Sequence, residues 1–345
     1  YYATTCNGCS AQCGALVKTR AGRPIKLEGN PDHPINEGSL CARGEASYRR
    51  LYDPDREQGP LKVARDGGHG EIDWKELDGE VVEKLQELKG GGSIRILSRN
   101  RPGSAREALI DEIADNFSNI EHYAWEPLTS EALAQASDHS YGSRHVPTYH
   151  FERADMVVSL GSDFLGTWLS PNEFTRQFIE KRDPDEQMSR FVAFEGMLTL
   201  TGMNADERHT VRTSDLVYVA LGLAHEVIVG KGHGPLAGDA DAEGAVEAFS
   251  PESVAERTGL DPQQIKDYAA ELVDHAGHGL VIAGAASSNT PGGVSLEAAV
   301  NLLNAALENE GETVERARTS HQSDGSFADL QKLVDEMKAG EVDML

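Results

Sequence analysis

The four cysteines of this chain have a spacing that favours an iron–sulfur cluster. Cys6, Cys9, Cys13 and Cys41 are the only cysteines among 345 residues, in the pattern C-x2-C-x3-C-x27-C. Thiolates this close together either bind a metal or cluster or pair as disulfides. Three cysteines from one loop and a fourth from further along the chain suit the corners of a [4Fe–4S] cube. We therefore predict that these four residues bind such a cluster.

Two other uses of the same thiols remain open. Structural zinc prefers two C-x2-C-like pairs, whereas here three cysteines are clustered and one stands apart. A disulfide framework normally belongs to a small scaffold without a core, and a chain of 345 residues has ample core. Zinc and free or paired thiols are thus the alternatives to the cluster.

The charge of the chain excludes one broad class of partner. Its net charge is −25, from 57 acidic and 32 basic residues, which argues against nucleic acid and anionic membrane surfaces. Only 11 of the basic residues are lysine, so we hypothesise an acidic surface adapted to high salt. Residues 1–50 instead carry a net +3, which suits an anionic cluster with four thiolates.

The overall hydropathy indicates a globular chain. With a mean hydropathy of −0.45, we expect no apolar run long enough to cross a membrane. The chain opens on Tyr-Tyr-Ala without an initiator Met or a leader, so we expect a mature or excised segment.

The elements that position the cysteines are predicted from short apolar patterns. Residues 15–19 and 24–28 surround a glycine turn and predict a β-hairpin, after which a loop returns to Cys41. Residues 1–50 therefore form a small β module with both ends at the metal.

The rest of the chain alternates between helical and strand patterns, which predicts α/β architecture with a doubly wound parallel sheet. Strands are predicted at 94–97, 119–123, 155–160, 190–194 and 280–283. Helices are predicted from 73, at 104–117, 129–140, 172–182, 214–229, 295–308 and 326–339, and after the caps Ser250 and Asp261. Residues 342–345 begin a further strand, so we expect a truncated last domain.

Three domains are predicted from these patterns. Residues 1–55 form the cluster module, 56–230 a first α/β domain, and 231–345 a second, incomplete α/β domain. The glycine-rich stretch 230–244 is the expected linker or surface loop.

Several motifs, taken together, resemble the molybdopterin oxidoreductases of the dimethyl-sulfoxide-reductase type. Besides the cysteines they are GNPDHP at 29–34, CARG at 41–44, YDPDR at 52–56 and IDWKE at 72–76, in that order. The resemblance runs through the chain and implies the N-terminal half of such a subunit, opening with a [4Fe–4S] module.

Within that superfamily the chain resembles most the iron–sulfur B subunit of alternative complex III, through residues 1–5, 163–171 and 200–206. This resemblance implies a quinol-oxidising respiratory membrane complex on the exported, periplasmic side, with other subunits and a ferredoxin-like second half as partners. It implies neither nucleic-acid binding nor direct insertion in the membrane. Many members of that branch lack the N-terminal cysteines, so the four cysteines here are a departure from it.

The resemblance also assigns roles to two further residues. Arg43 matches the basic residue two positions after the fourth cysteine, which relays electrons between cluster and pterin. Glu195 stands where active members have an Asp-Pro-Arg-like turn, and here Glu195-Gly196-Met197 lacks the arginine, so Glu195 is only a weak candidate for cofactor binding.

A molybdenum site is not expected. No cysteine follows Cys41, and the stretch 122–127 has no obvious substitute thiol, although Ser130 and Asp138 are near. A bound molybdopterin guanine dinucleotide is therefore the less favoured cofactor, and no catalytic residue is assigned.

Three functions follow, in decreasing order of support. The first is an iron–sulfur electron-transfer part of a respiratory oxidoreductase, not turning over by itself. The second is the catalytic half of a bis-pterin molybdoenzyme acting on a small oxyanion, sulfur or formate-like substrate. The third is a structural relic with zinc or no metal.

Overall fold

The architecture was obtained from a computed structural model of the chain. It describes residues 1–64, 66–100, 103–127, 129–284, 287–320, 322 and 325–345, with backbone only at 319 and 320. Residues 285 and 286, in the loop after the strand predicted at 280–283, thus lie outside the described part.

The described residues form strands and helices in mixed order. The strands are β1 (Tyr2–Thr5), β2 (Gly14–Arg20), β3 (Arg23–Gly29), β4 (Leu61–Val63), β5 (His69–Glu71), β6 (Ile94–Ser98), β7 (Ile120–Ala124), β8 (Val146–Tyr149), β9 (Met156–Leu160), β10 (Arg190–Glu195), β11 (Glu207–Thr210), β12 (Gly279–Ala283) and β13 (Val314–Ser320). The α-helices are α1 (Ala42–Ala46), α2 (Trp74–Leu88), α3 (Ser104–Ala114), α4 (Glu131–Tyr141), α5 (Pro171–Glu180), α6 (Leu200–Met203), α7 (Leu216–His225), α8 (Ala240–Val246), α9 (Pro251–Thr258), α10 (Pro262–Asp274), α11 (Gly293–Ala306) and α12 (Phe327–Ala339). Short 3₁₀ turns occupy Ser47–Tyr52, Phe151–Arg153 and Thr213–Asp215, and a π-helical turn occupies Glu226–Gly230.

The chain divides by its internal contacts into two compact units, which we describe separately. Unit 1 comprises Tyr1–Glu126 and Gly325–Leu345, and unit 2 comprises Pro127–Asp324. These divisions fall at other positions than the predicted domain limits at 55 and 230, which stay a prediction.

The predicted hairpin of the N-terminal module is confirmed. β2 and β3 are antiparallel and joined by Ala21 and Gly22, both in the left-handed region (φ +50° and +76°). Two such residues in succession make the hairpin turn whose twist matches that of the strands. β1, which the sequence did not predict, adds antiparallel to β2, with Thr5 opposite Gly14.

The remainder of unit 1 is built on a parallel strand pair. β6 and β7 run parallel, with Ile94 opposite Ile120, as their strand–helix alternation predicted. α2 begins at the predicted cap, where the Asp73 side chain accepts from the Glu76 N–H. The strand predicted at 342–345 is a single parallel bridge, from Met344 to Ile94.

Unit 2 is organised around a parallel four-stranded sheet in the order β11-β10-β9-β12. Successive side chains of β9 enter opposite cores: Val158 packs with α7, α10 and α11, and Val157 packs with a cluster of aromatic residues. Because both faces are buried, β9 shows no alternation of polar and apolar residues. The doubly wound α/β class is thus confirmed.

The helical run at residues 213–230 corrects the expectation that no apolar run is long enough to cross a membrane. Among the described residues, Thr213–Gly230 is the single helical run long and apolar enough to cross a membrane by length and composition, which the sequence argument had not recognised. Leu216, Leu223 and Ile228 from this run are at most 1% exposed and belong to the core of unit 2. A core helix of this kind passes the same test. The predicted linker at 230–244 also contains the start of α8.

Candidate iron–sulfur site

The loop between β1 and β2 carries three of the four cysteines. Cys6 directly follows β1, Cys13 directly precedes β2, and the Cys6 N–H donates to the Cys13 carbonyl at 2.8 Å. The two residues therefore face each other at the base of the hairpin loop, and Cys9 lies within it. Cys13 is buried, whereas Cys6 and Cys9 are partly exposed.

Cys41 is placed by the start of α1. It is the N-cap residue, and its carbonyl accepts from the Glu45 N–H at 2.9 Å. A residue at this position has extended backbone, so it lies at the end of the preceding loop rather than within the helix. Cys41 is also partly exposed.

Asn36 connects the loop before Cys41 to the strand after Cys13. It is fully buried, and its side chain accepts from the Gly14 N–H at 2.8 Å and donates to the Gly14 carbonyl at 3.0 Å. The same amide donates to the Ser39 carbonyl at 2.6 Å. One buried side chain thus fixes the residue next to Cys13 relative to the segment that ends at Cys41.

Two glycines allow these segments to approach closely. A Cβ on Gly14 would lie 2.5 Å from the ring of His33, and a Cβ on Gly29 would lie 2.3 Å from the Gly38 carbonyl oxygen. Both distances are well below van der Waals contact. The packing of the cysteine-bearing segments therefore requires glycine at both positions.

The four cysteines belong to one module of unit 1. None of the four cysteines forms a disulfide in this structure. No group of three or more His, Cys, Asp or Glu residues within the described ranges is arranged to hold a metal ion. What fits a [4Fe–4S] cluster is the donor set, four thiols on two segments that Asn36 ties together.

Arg43 lies in α1, two residues beyond Cys41, and is exposed. Its position in sequence next to the fourth cysteine is that of the predicted relay residue. Its assignment to that role stays a prediction.

Glu195 is engaged inside unit 2. At the end of β10 its buried carboxylate accepts from the Thr199 hydroxyl at 2.6 Å and from Arg208 Nε at 2.5 Å. A Cβ on Gly202 would lie 1.9 Å from its Oε1 atom, so the helix α6 packs directly on it. The residues present at this strand end therefore do not offer Glu195 to a diphosphate, and its cofactor-binding role stays a weak prediction.

The carboxyl edge of the same sheet also has a cavity of about 350 Å³. It lies at the loop that follows β12 and at the start of α7 and α11, where the strand order reverses between β9 and β12. Its described lining residues include no basic side chain; they are Thr213, Ser214, Val217, Ser287, Thr290, Pro291, Gly292 and Leu296.

Next to this loop, Glu297 of α11 is a buried carboxyl group. It is 1% exposed and accepts a short hydrogen bond from the Ser288 hydroxyl. Burial disfavours the charged form and raises the pKa of Glu297 to about 7, although the Ser288 hydrogen bond opposes the shift. Nothing in the sequence alone identifies this group, because its burial depends on the tertiary fold.

A further polar group at the carboxyl ends of β6 and β7 was missed by sequence reasoning. Arg99, directly after β6, forms a two-point ion pair with Glu126, with Nε–Oε2 at 3.0 Å and Nη2–Oε1 at 2.5 Å. Beside it, His122 Nε2 lies 2.8 Å from the Ser98 hydroxyl. Burial, and secondarily the charge of Arg106, lowers the pKa of His122. The carboxyl ends of two parallel strands meet at one edge of a sheet, which could have indicated this polar group. That arrangement can be recognised only once the register of β6 and β7 is known.

Comparison with known proteins decides the family of the chain. Residues 1–53 match the family model of the molybdopterin oxidoreductase Fe4S4 domain. The chain belongs to the molybdopterin oxidoreductase superfamily. The [4Fe–4S] cluster is the cofactor of the domain that this segment matches.

The similarity to known relatives extends beyond residues 1–53, which match the Fe4S4 domain. The chain is 30% identical over 315 residues to the menaquinone reductase, molybdopterin-binding-like subunit of Nitratidesulfovibrio vulgaris, covering 90% of this chain and 45% of the relative. It is 22% identical to the arsenate respiratory reductase molybdopterin-containing subunit of a Shewanella species, covering 69% of this chain and 29% of the relative.

The fold agrees with a solved member of similar architecture. Acetylene hydratase from Pelobacter acetylenicus matches with a TM-score of 0.67 and 17% identity, over 90% of this chain and 44% of the hydratase. At that identity the likeness shows the fold alone. The chain spans less than half the length of each of these three proteins, as expected for the N-terminal half of a superfamily member.

Proposed function

We propose that this chain is the N-terminal, electron-transferring part of a molybdopterin-type respiratory oxidoreductase. In this proposal Cys6, Cys9, Cys13 and Cys41 ligate one [4Fe–4S] cluster. The observation that carries it is the pair of cysteine-bearing segments joined through Asn36 and Gly14, within the region that matches the Fe4S4 domain model.

The cluster, when bound, supplies one-electron transfer, and the residues of the chain hold and surround it. The base of the loop at Cys6 and Cys13 is fixed by a backbone hydrogen bond, and Cys41 by the start of α1. Cys9 lies within the loop and is partly exposed. Arg43 follows as the proposed relay residue.

The proposed location is a membrane-associated quinol-oxidising complex on the exported side, with further subunits and a ferredoxin-like second half. Support comes from the name of one relative, a subunit of a menaquinone reductase. The resemblance to alternative complex III supports the same type of assembly.

We further propose that this half works without molybdenum. Glu195 is held by Thr199 and Arg208, and Met197 replaces the arginine expected after that strand. The competing proposal, a catalytic bis-pterin enzyme, is favoured by the names of the arsenate reductase and formate dehydrogenase relatives.

Elemental analysis of the anaerobically purified full-length protein distinguishes these functions. About four irons and four sulfides per chain, without molybdenum, are expected for the electron-transfer part. If molybdenum and pterin are found, the catalytic bis-pterin enzyme is supported in place of the electron-transfer part. Zinc in place of iron, or no metal, would contradict both.

A further inference from the structure

Cys6 and Cys13 lie directly opposite each other at the end of a β-ladder. In the antiparallel pairing of β1 with β2, Thr5 lies opposite Gly14, so Cys6 and Cys13 continue the same register by one residue. The Cys6 N–H donates to the Cys13 carbonyl at 2.8 Å, so the ladder extends to this pair. The separation of the two backbones at these cysteines is therefore set by the sheet.

Two cysteines in this arrangement are well placed for a disulfide bond. Hydrogen-bonded residues that face each other across an antiparallel ladder have Cα atoms about 5.5 Å apart, and their side chains leave the ladder on the same face. A disulfide requires Cα atoms about 4.4–6.8 Å apart, so the backbone separation already suits the bond. Closing it requires rotation of the two side chains and a small adjustment of the loop between them.

The other two cysteines have no place in this ladder. Cys9 lies within the loop that joins Cys6 to Cys13, and Cys41 caps α1 on a separate segment. A Cβ on Gly8 would lie 3.4 Å from the Cys6 sulfur, so this sulfur lies beside the same loop. Of the pairings that four thiols allow, the β1–β2 register therefore favours that of Cys6 with Cys13.

We propose that Cys6 and Cys13 form a reversible disulfide when the module holds no cluster, which makes the pair an oxidation site of the cluster-free protein. The competition between disulfide and cluster rests on the ligation proposed above, whereas the pairing itself rests on the β1–β2 register. The closed bond removes two of the proposed ligands, so the cluster is inserted only after the bond is reduced. The proposed location on the exported side provides the oxidising conditions in which such bonds form.

The reaction is a thiol–disulfide exchange, for which the oxidant is a small disulfide such as oxidised glutathione. Cys6 is partly exposed and Cys13 is buried, so Cys6 is the accessible thiol. After losing its proton, Cys6 attacks one sulfur of oxidised glutathione, forms a mixed disulfide and releases one reduced glutathione. Cys13 then attacks the Cys6 sulfur, closes the bond and releases the second. The two electrons and two protons lost by the cysteines are thus carried by two molecules of reduced glutathione.

The test uses the full-length protein, purified anaerobically and freed of its cluster with an iron chelator under reducing conditions. After removal of the reductant, the protein is treated with oxidised glutathione. Free thiols are alkylated with one reagent, disulfides are then reduced and alkylated with a second reagent, and the two labels are located by tandem mass spectrometry. We expect the second label on Cys6 and Cys13 and the first label on Cys9 and Cys41. The cluster-loaded protein should resist the same treatment.

Two matched variants of the cluster-free protein test the pairing. Cys9→Ser should still form the disulfide, whereas Cys13→Ser should carry the first label on all its remaining thiols. Treatment of the oxidised wild type with dithiothreitol should restore its thiols and its capacity to take up iron.

The second label on another pair of cysteines, a mixture of pairings, or no second label would overturn the inference. Equal oxidation of the cluster-loaded and the cluster-free protein would also overturn it, because the cluster would then not compete with the bond. A protein that contains no cluster when purified would instead contradict the proposed function, and the location of the second label would still decide the pairing.

Discussion

Asn36 and Gly14 form a closed pair of hydrogen bonds, side-chain amide to backbone, at 2.8 and 3.0 Å. Gly14 follows Cys13 directly, and Asn36 lies five residues before Cys41. The two cysteine-bearing segments are therefore joined through a fully buried polar contact rather than through a hydrophobic core. Such a contact is specific, because a buried amide left without partners is costly.

Asn36→Ala should destabilise the N-terminal module. It removes three hydrogen bonds and leaves the Gly14 and Ser39 backbone groups without their partner, which should cost about 2–4 kcal/mol. Denaturant unfolding and iron content measure the effect. Asn116→Ala, which removes an exposed amide bonded only to the Glu112 carbonyl, should change both by little. Equal effects of the two substitutions would contradict this role for Asn36.

Gly29→Ala should displace the loop that leads to Cys41. The new Cβ would meet the Gly38 carbonyl oxygen at 2.3 Å, so the backbone must shift. We expect lower iron retention and a lower unfolding midpoint. Gly70→Ala in β5 is the control, because a Cβ there has no neighbour within 4 Å. A Gly29→Ala protein with wild-type iron retention would show that the close approach is not required.

Glu297 should make stability depend on pH in a defined direction. Its folded-state pKa, about 7, exceeds the ordinary value of 4.5, so between these values the folded state holds a proton that the unfolded state has lost. Its contribution to stability is thus greatest below about pH 4.5, falls as the pH rises towards 7, and then stays level. Compared with the wild type, Glu297→Gln should gain stability on going from pH 5 to pH 8, by about 2–3 kcal/mol.

Thermal or denaturant unfolding of both proteins at several pH values measures this difference. Glu186→Gln, at an exposed position, should run parallel to the wild type. If the difference in stability between the wild type and Glu297→Gln is constant between pH 5 and pH 8, Glu297 is not buried as a neutral acid.

Leu223→Ala should strongly destabilise unit 2. Leu223 lies in the apolar run Thr213–Gly230 and is fully buried in the core, so its truncation should cost about 2–5 kcal/mol. Val229 belongs to the same run but is 43% exposed, and Val229→Ala should cost less than about 1 kcal/mol. Similar costs at both positions would contradict the placement of this run as a core helix.

Local patterns were sufficient for much of the fold. The hairpin β2–β3 followed from a glycine turn between apolar stretches, and β9 from a continuous apolar run. The sequence did not reveal β11, because Glu207–Thr210 is a polar strand whose partner is β10, as shown by the pairing of Val192 with Glu207. The pairing of β8 with β13 was also missed, since it joins segments about 170 residues apart.

The residues of the candidate site also fall into two groups, those that the sequence identifies and those that it does not. The four cysteines are identifiable because residue type and spacing alone indicate metal binding. Asn36 and the Arg99–Glu126 pair are not, because their roles depend on which backbone atoms and charges the tertiary fold brings near them. The apolar run at 213–230 was overlooked because the mean hydropathy of the whole chain does not show a local run.

The most direct test of the central claim is the electron paramagnetic resonance spectrum of the dithionite-reduced, anaerobically purified full-length protein beside that of Cys41→Ser. The account predicts the signal of a reduced [4Fe–4S] cluster in the wild type, and its loss when the fourth ligand is removed. A wild-type protein that contains no such cluster, or a Cys41→Ser protein with an unchanged spectrum, would contradict the claim.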